Sequence, residues 1–73
     1  MPSENLTVKQ ATVVITIRNF AHIHGYPPTI RELCSLLHIA RGTVVQHLNS
    51  CQRKGVLRRQ PGKPRTLEIL QAA

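Results

Sequence analysis

The chain is 73 residues long and carries ten Lys and Arg against three acids, a formal net charge of +7. That length suits one domain, 1–73, and excludes a second, because so short a chain buries barely enough apolar surface to offset its own conformational entropy. The charge favours a polyanionic partner, nucleic acid or an acidic protein surface, and no apolar run nears the roughly 20 residues that span a bilayer, so no membrane association is expected.

The opening MPSENL has neither the basic nor the apolar region of a secretory leader, and a cytoplasmic location is therefore expected. The first element announces itself at TVKQ (7–10), a Thr followed three residues later by Gln. This is the capping box: the hydroxyl accepts from an orphan backbone N–H of the first turn, and the Gln reaches back to the N–H of the cap. Leu6 before the cap and Ala11 inside the helix add a hydrophobic staple. A helix near 8–24 follows and stops at GYPP (25–28), where Gly25 takes positive φ and the prolines cannot continue a helix. Gln10, Val13, Val14, Ile17, Ala21 and His24 share one face at helical spacing and are expected to meet the core. His22 and His24 cannot chelate together, since alternate helical positions point about 200° apart.

TIRE (29–32) repeats the capping box and opens a second helix near 30–37, with Ile30, Leu33 and Leu37 pointing inward. His38 and Ile39 turn the chain. TVVQ (43–46) reads as a third box, opening a helix near 43–54 with Arg41 as its earliest start. This helix buries Val44, Leu48 and Cys51 and ends at Gly55. VLRR (56–59) and RTLEIL (65–70) then read as short strands around QPGKP (60–64), whose Pro and Gly specify a turn. The expected fold is mainly α with a small β-hairpin near 56–70.

Taken together these residues resemble a known family. LT..Q (6–10), GYPPTIREL (25–33), HL and KG in the third helix, and RR.PGKPRTLEIL (58–70) are similar to the N-terminal winged helix-turn-helix domain of the LexA repressors, over residues 6–70. The resemblance implies a three-helix winged helix-turn-helix whose third helix enters the major groove of double-stranded DNA, with the hairpin as a wing on the phosphates. Two local departures stand out. Between Ala40 and Thr43 the family usually has a Ser-rich run one residue longer than Arg41-Gly42, and position 38, commonly Gly, is His. The family's C-terminal peptidase and dimerisation domain, with its Ser and Lys pair, is not contained in these residues. The expectation is a stand-alone regulator, incapable of self-cleavage, acting as a monomer or weak dimer.

Arg41, Thr43, Val45, Gln46 and Asn49 lie on the solvent side of the third helix and are the candidate base readers: Gln or Asn for adenine, Arg for guanine, Val45 for a thymine methyl. Arg53, Lys54, Arg58, Arg59, Lys63 and Arg65 cluster around the helix end and the wing, as phosphate ligands would. Neither catalysis nor a cofactor is expected, because the chain has no Asp and its Glu4, Glu32 and Glu68 are dispersed, with Glu32 used in capping. Cys34 and Cys51 form no C-x-x-C and read as buried reduced thiols, and with His38 and His47 they imitate no zinc-finger spacing, so no metal is expected either. A rival reading makes the chain a transcription regulator that binds RNA polymerase and inhibits initiation or alters termination. It draws on Val8, Ile15 and Ile23, which stand away from the core where the LexA family more often has polar residues. In size and organisation the chain also resembles small phage-encoded proteins of that kind.

Overall fold

The computed structural model describes residues 6–70, so Glu4 and all but Leu6 of the MPSENL segment lie outside the described residues. Thr7, in extended backbone, accepts through its hydroxyl from the Gln10 N–H at 3.1 Å, while its own N–H donates to Gln10 Oε1 at 3.2 Å. Helix α1 (Val8–His24) follows and ends on Gly25, whose φ of 81° brings its N–H to the Ala21 carbonyl at 2.8 Å. Thr29 and Glu32 repeat the reciprocal bonds at 3.1 and 2.8 Å and open α2 (Ile30–Leu37). His38 closes α2 in left-handed backbone, φ 57°, with no glycine to relieve it.

Helix α3 (Arg41–Arg53) takes the earlier of its two expected starts. Its cap is Ala40, which supplies no side-chain hydrogen bond, and Thr43 already lies inside the first turn. The chain leaves the His38 turn with Ile39 packed against the core, and the helix begins two residues before the TVVQ pattern. Thr43 and Gln46 are there simply neighbours along a helix, and the third capping box is not formed. At the far end Gly55, φ 76°, donates to Gln52 O at 3.1 Å and Val56 donates to Cys51 O at 3.0 Å, the paired bonds of a Schellman motif.

Strands β1 (Leu57–Arg58) and β2 (Glu68–Ile69) pair antiparallel, Leu57 opposite Ile69 and Arg58 opposite Glu68. Beyond Arg58 a side chain takes the place of the ladder: Thr66 Oγ1 accepts from the Gln60 N–H at 2.9 Å and lies 3.2 Å from the Gln60 carbonyl. The turn between them places Pro61 and Gly62 at its centre, with Gly62 at φ 81° and Lys63 N–H on Gln60 O at 3.2 Å. Three helices and a two-stranded wing make a winged helix-turn-helix.

One apolar cluster joins every element. Val13, Val14 and Ile17 of α1, Leu33 of α2, and Val44, Leu48 and Cys51 of α3 meet Val56, Leu57 and Leu67 from the wing base, with Leu6, Ile30, Cys34, Leu37, Ile39 and Ile69 half-buried around them. Full burial of each large aliphatic chain contributes about 1.5–3 kcal/mol. The expected face of α1 holds as far as Ala21, but His24 is exposed. By the last turn α1 has run past the core, and the His24 ring stacks on Phe20 with centroids 4.1 Å apart. Gln10 is buried among the apolar residues, and its Oε1 accepts from Thr7 N–H and from Lys54 Nζ at 2.7 Å, so the polar group is satisfied.

Candidate nucleic-acid interface

Because α3 turns its Val44, Leu48 and Cys51 stripe to the core, about 100° per residue places Gln46, Asn49 and Arg53 on the opposite pole. All three are exposed, and they line one shallow groove together with Ser50 and the edge of Gln10. Arg53 Nη2 donates to Ser50 Oγ at 3.2 Å, which holds the guanidinium along the helix. The other expected base readers flank this pole on opposite sides. Thr43 lines a pocket with Lys9, Thr12 and His47 beside α1, whereas Arg41 lines a cleft under the wing. Val45 is half-buried.

The cleft under the wing is bounded by Thr29 and Arg31 at the start of α2, Arg41 at the start of α3, and Arg59, Lys63 and Arg65 from the wing. Helix N-termini carry partial positive charge, so Arg31 and Arg41 sit where a cation is locally unfavourable and an anion favourable. Five cations and two helix starts therefore converge on one concavity. Arg59 Nε is buried with no hydrogen-bond acceptor among the described residues, an orphan donor in the same wall. Arg31 was not among the expected phosphate ligands. The signal for it was present in TIRE: the capping box places Arg31 in the first turn, where its charge opposes the helix dipole.

Three of the expected phosphate ligands, Lys54, Arg58 and Arg65, are engaged with other groups of the protein. Lys54 donates to Gln10. Arg58 Nε donates to Glu68 Oε1 at 2.7 Å across the β1–β2 pair, with both side chains more than half exposed. Arg65 reaches Glu32, with Nη1 on Oε1 at 3.0 Å and Nη2 on Oε2 at 3.1 Å. The backbone N–H of Thr29, together with Arg65, holds the Glu32 carboxyl below the ordinary glutamate range. Burial pushes the Cys51 thiol up, against the opposing charge of Lys54. Cys34 and Cys51 are both free thiols, Cys34 only half-buried.

On α1, Val8 is 84% exposed and Ile23 74%, while Ile15 is 40% exposed and so only partly available to a partner. Among the described residues no helix is long and apolar enough to cross a membrane.

With this geometry in place the comparisons decide the family. The LexA DNA binding domain model matches residues 3–66. The chain belongs to the LexA DNA-binding domain family. Its relatives include the LexA repressor of Limosilactobacillus fermentum, 44% identical over 69 residues that cover 93% of this chain and 33% of the relative. Those of Clostridioides difficile and Moorella thermoacetica are 37% and 40% identical, over 92% and 90% of this chain and 32% and 33% of theirs. The chain thus spans about a third of the length of these curated relatives. The matched LexA segment is a DNA-binding domain and not a catalytic one.

Proposed function

We propose that this LexA-type domain binds double-stranded DNA and represses transcription, as a monomer or weak dimer in the cytoplasm. The observation that carries the reading is the pairing of a polar α3 pole, Gln46 and Asn49, with the cation-lined cleft formed by Arg31, Arg41, Arg59 and Lys63. Placed in the major groove, α3 directs Gln46 and Asn49 at base edges, where either amide pairs with adenine. Arg41 and Thr43, on opposite flanks, meet the two groove walls, and Val45 offers a methyl contact at the wing side. Arg53, Arg59, Lys63 and Arg31 then meet the backbone phosphates, which fix register without reading sequence. Lys54 and Arg58 contribute less, because Gln10 and Glu68 already hold them. Binding to RNA polymerase through Val8, Ile15 and Ile23 draws no support from the family match.

Two measurements test this. With a mixed-sequence duplex, replacing Arg59 and Lys63 together by Ala should flatten the dependence of log K on log salt by about two, since each phosphate contact contributes about 0.9. With duplexes enriched from a randomised pool, Gln46→Ala should remove on the order of 1–3 kcal/mol of discrimination at one base pair. Ile15→Ser should alter neither. An unchanged salt slope together with unchanged discrimination, in variants that still fold, rejects DNA binding by this face.

A further inference from the structure

Two residue pairs of antiparallel ladder are too little to hold the tip of a hairpin, since even complete two-stranded hairpins are marginal in water. Thr66 Oγ1 ties the loop to itself, accepting from the Gln60 N–H at 2.9 Å and donating to Gln60 O or Lys63 O, and Leu57 and Leu67 root the base in the core. Among the described residues, the side-chain hydrogen bonds from the wing to the helical part come from Arg65. Arg65 presents its forked guanidinium to both oxygens of Glu32, donates through Nη1 to the Pro27 carbonyl at 3.2 Å, and lies 4.6 Å over the Tyr26 ring. Tyr26 is itself set against Phe20 and His24, so the receiving surface is an aromatic cluster at the end of α1 and the start of α2. Glu32 Oε1 accepts from Arg65 and from the Thr29 N–H, so one carboxylate caps α2 and grips the wing. The backbone at Arg65 is left-handed, φ 59°, a conformation non-glycine residues keep only where their surroundings over-determine it.

We propose that Arg65 is a positioning residue, a latch that clamps the wing to the α1–α2 turn and the start of α2 through Glu32, Pro27 and Tyr26. This rests on the DNA-binding reading for its purpose: the latch sets the height of Arg59 and Lys63 above the cleft, so that they meet a backbone whose position α3 determines. It also reassigns Arg65, whose Nη1 and Nη2 already hold Glu32 and the Pro27 carbonyl. Arg is required and Lys does not replace it, because an ammonium cannot span two carboxylate oxygens and stack on a ring.

The capping boxes supply a clean variant. Gln10 performs in α1 the role of Glu32 in α2, so Glu32→Gln keeps the cap and removes the ion pair. Backbone 15N relaxation on the free protein should show lower order at Gly62 and Lys63 in Glu32→Gln and in Arg65→Lys, with α1 to α3 unchanged. The double variant should be no looser than either single one. Affinity for a mixed-sequence 24-base-pair duplex should fall about two- to fivefold in each, the range of an exposed but well-formed ion pair. This fall occurs even though Glu32→Gln makes the domain more positive. If Glu32→Gln instead raises affinity and steepens the salt slope by about 0.9, Arg65 is a masked phosphate ligand and the latch is wrong. Unchanged order at Gly62 and Lys63 also overturns it. Failure of the wild-type domain to bind the duplex would reject the DNA reading, and the relaxation result would still decide the latch.

Discussion

His38 holds φ 57° and ψ 41°, a conformation that crowds Cβ against the following carbonyl and costs an L-residue about 1–2 kcal/mol. What keeps it there is the turn itself: its N–H caps α2 at Cys34 O, and Ile39 beyond it packs on the core. His38→Gly should therefore raise unfolding free energy by about 1 kcal/mol in urea titrations, less the extra entropy glycine gives the unfolded chain. His38→Val should lower it. Position 38 was legible in the sequence as a turn, and the resemblance to a family that commonly has Gly there pointed to left-handed backbone. The roles of Lys54, Arg58 and Arg65 were not legible. All three read as phosphate ligands because a run of cations carries no information on which of them has an acid or amide across the fold.

The helix starts separate two kinds of local signal. In α1 and α2 the Thr and its Gln or Glu partner lie three residues apart and form reciprocal bonds that need no other part of the protein. Thr7→Ala and Thr29→Ala should each cost about 1 kcal/mol in chemical denaturation. In α3 the same spacing at Thr43 and Gln46 produces no cap, because the packing of Ile39 and Val44 commits the backbone to helix from Arg41. Thr43→Ala should accordingly leave stability unchanged or raise it by up to about 0.5 kcal/mol, as a β-branched residue gives way to the best helix former. A loss near 1 kcal/mol would show that Thr43 caps after all. Helical spacing of about 100° per residue spreads the expected base readers around α3, with Arg41 beneath the wing and Thr43 beside α1.

Charge acts across the entire domain. With +7 on 73 residues, each acid matters for cohesion, and Glu32 joins α2, the α1–α2 turn and the wing. Its carboxyl titrates below the ordinary glutamate value in the folded state, so the unfolded chain binds the proton first. The stability this contributes is present above the unfolded value of about 4.3 and is lost as pH falls through the lower folded value. Urea midpoints of the wild type and Glu32→Gln should therefore differ at pH 7 and converge on acidification. Parallel curves down to acid pH would mean that the ion pair contributes nothing to cohesion.

The order of elements, the ends of α1 and α2, the turns at His38 and Gly55, the wing and most of the core stripe were readable from residues close together in the chain. Caps, turns and amphipathic faces are interactions over three or four positions, and chain connectivity alone brings those partners together. The start of α3, the exposure of His24, the cleft that gathers Arg31 with Arg41 and Arg59, and the engagement of Arg65 by Glu32 across 33 residues depend on how the helices pack. Such pairings bring together groups distant in sequence, and only the packed core, by bearing the entropy of closing those loops, determines which charge meets which.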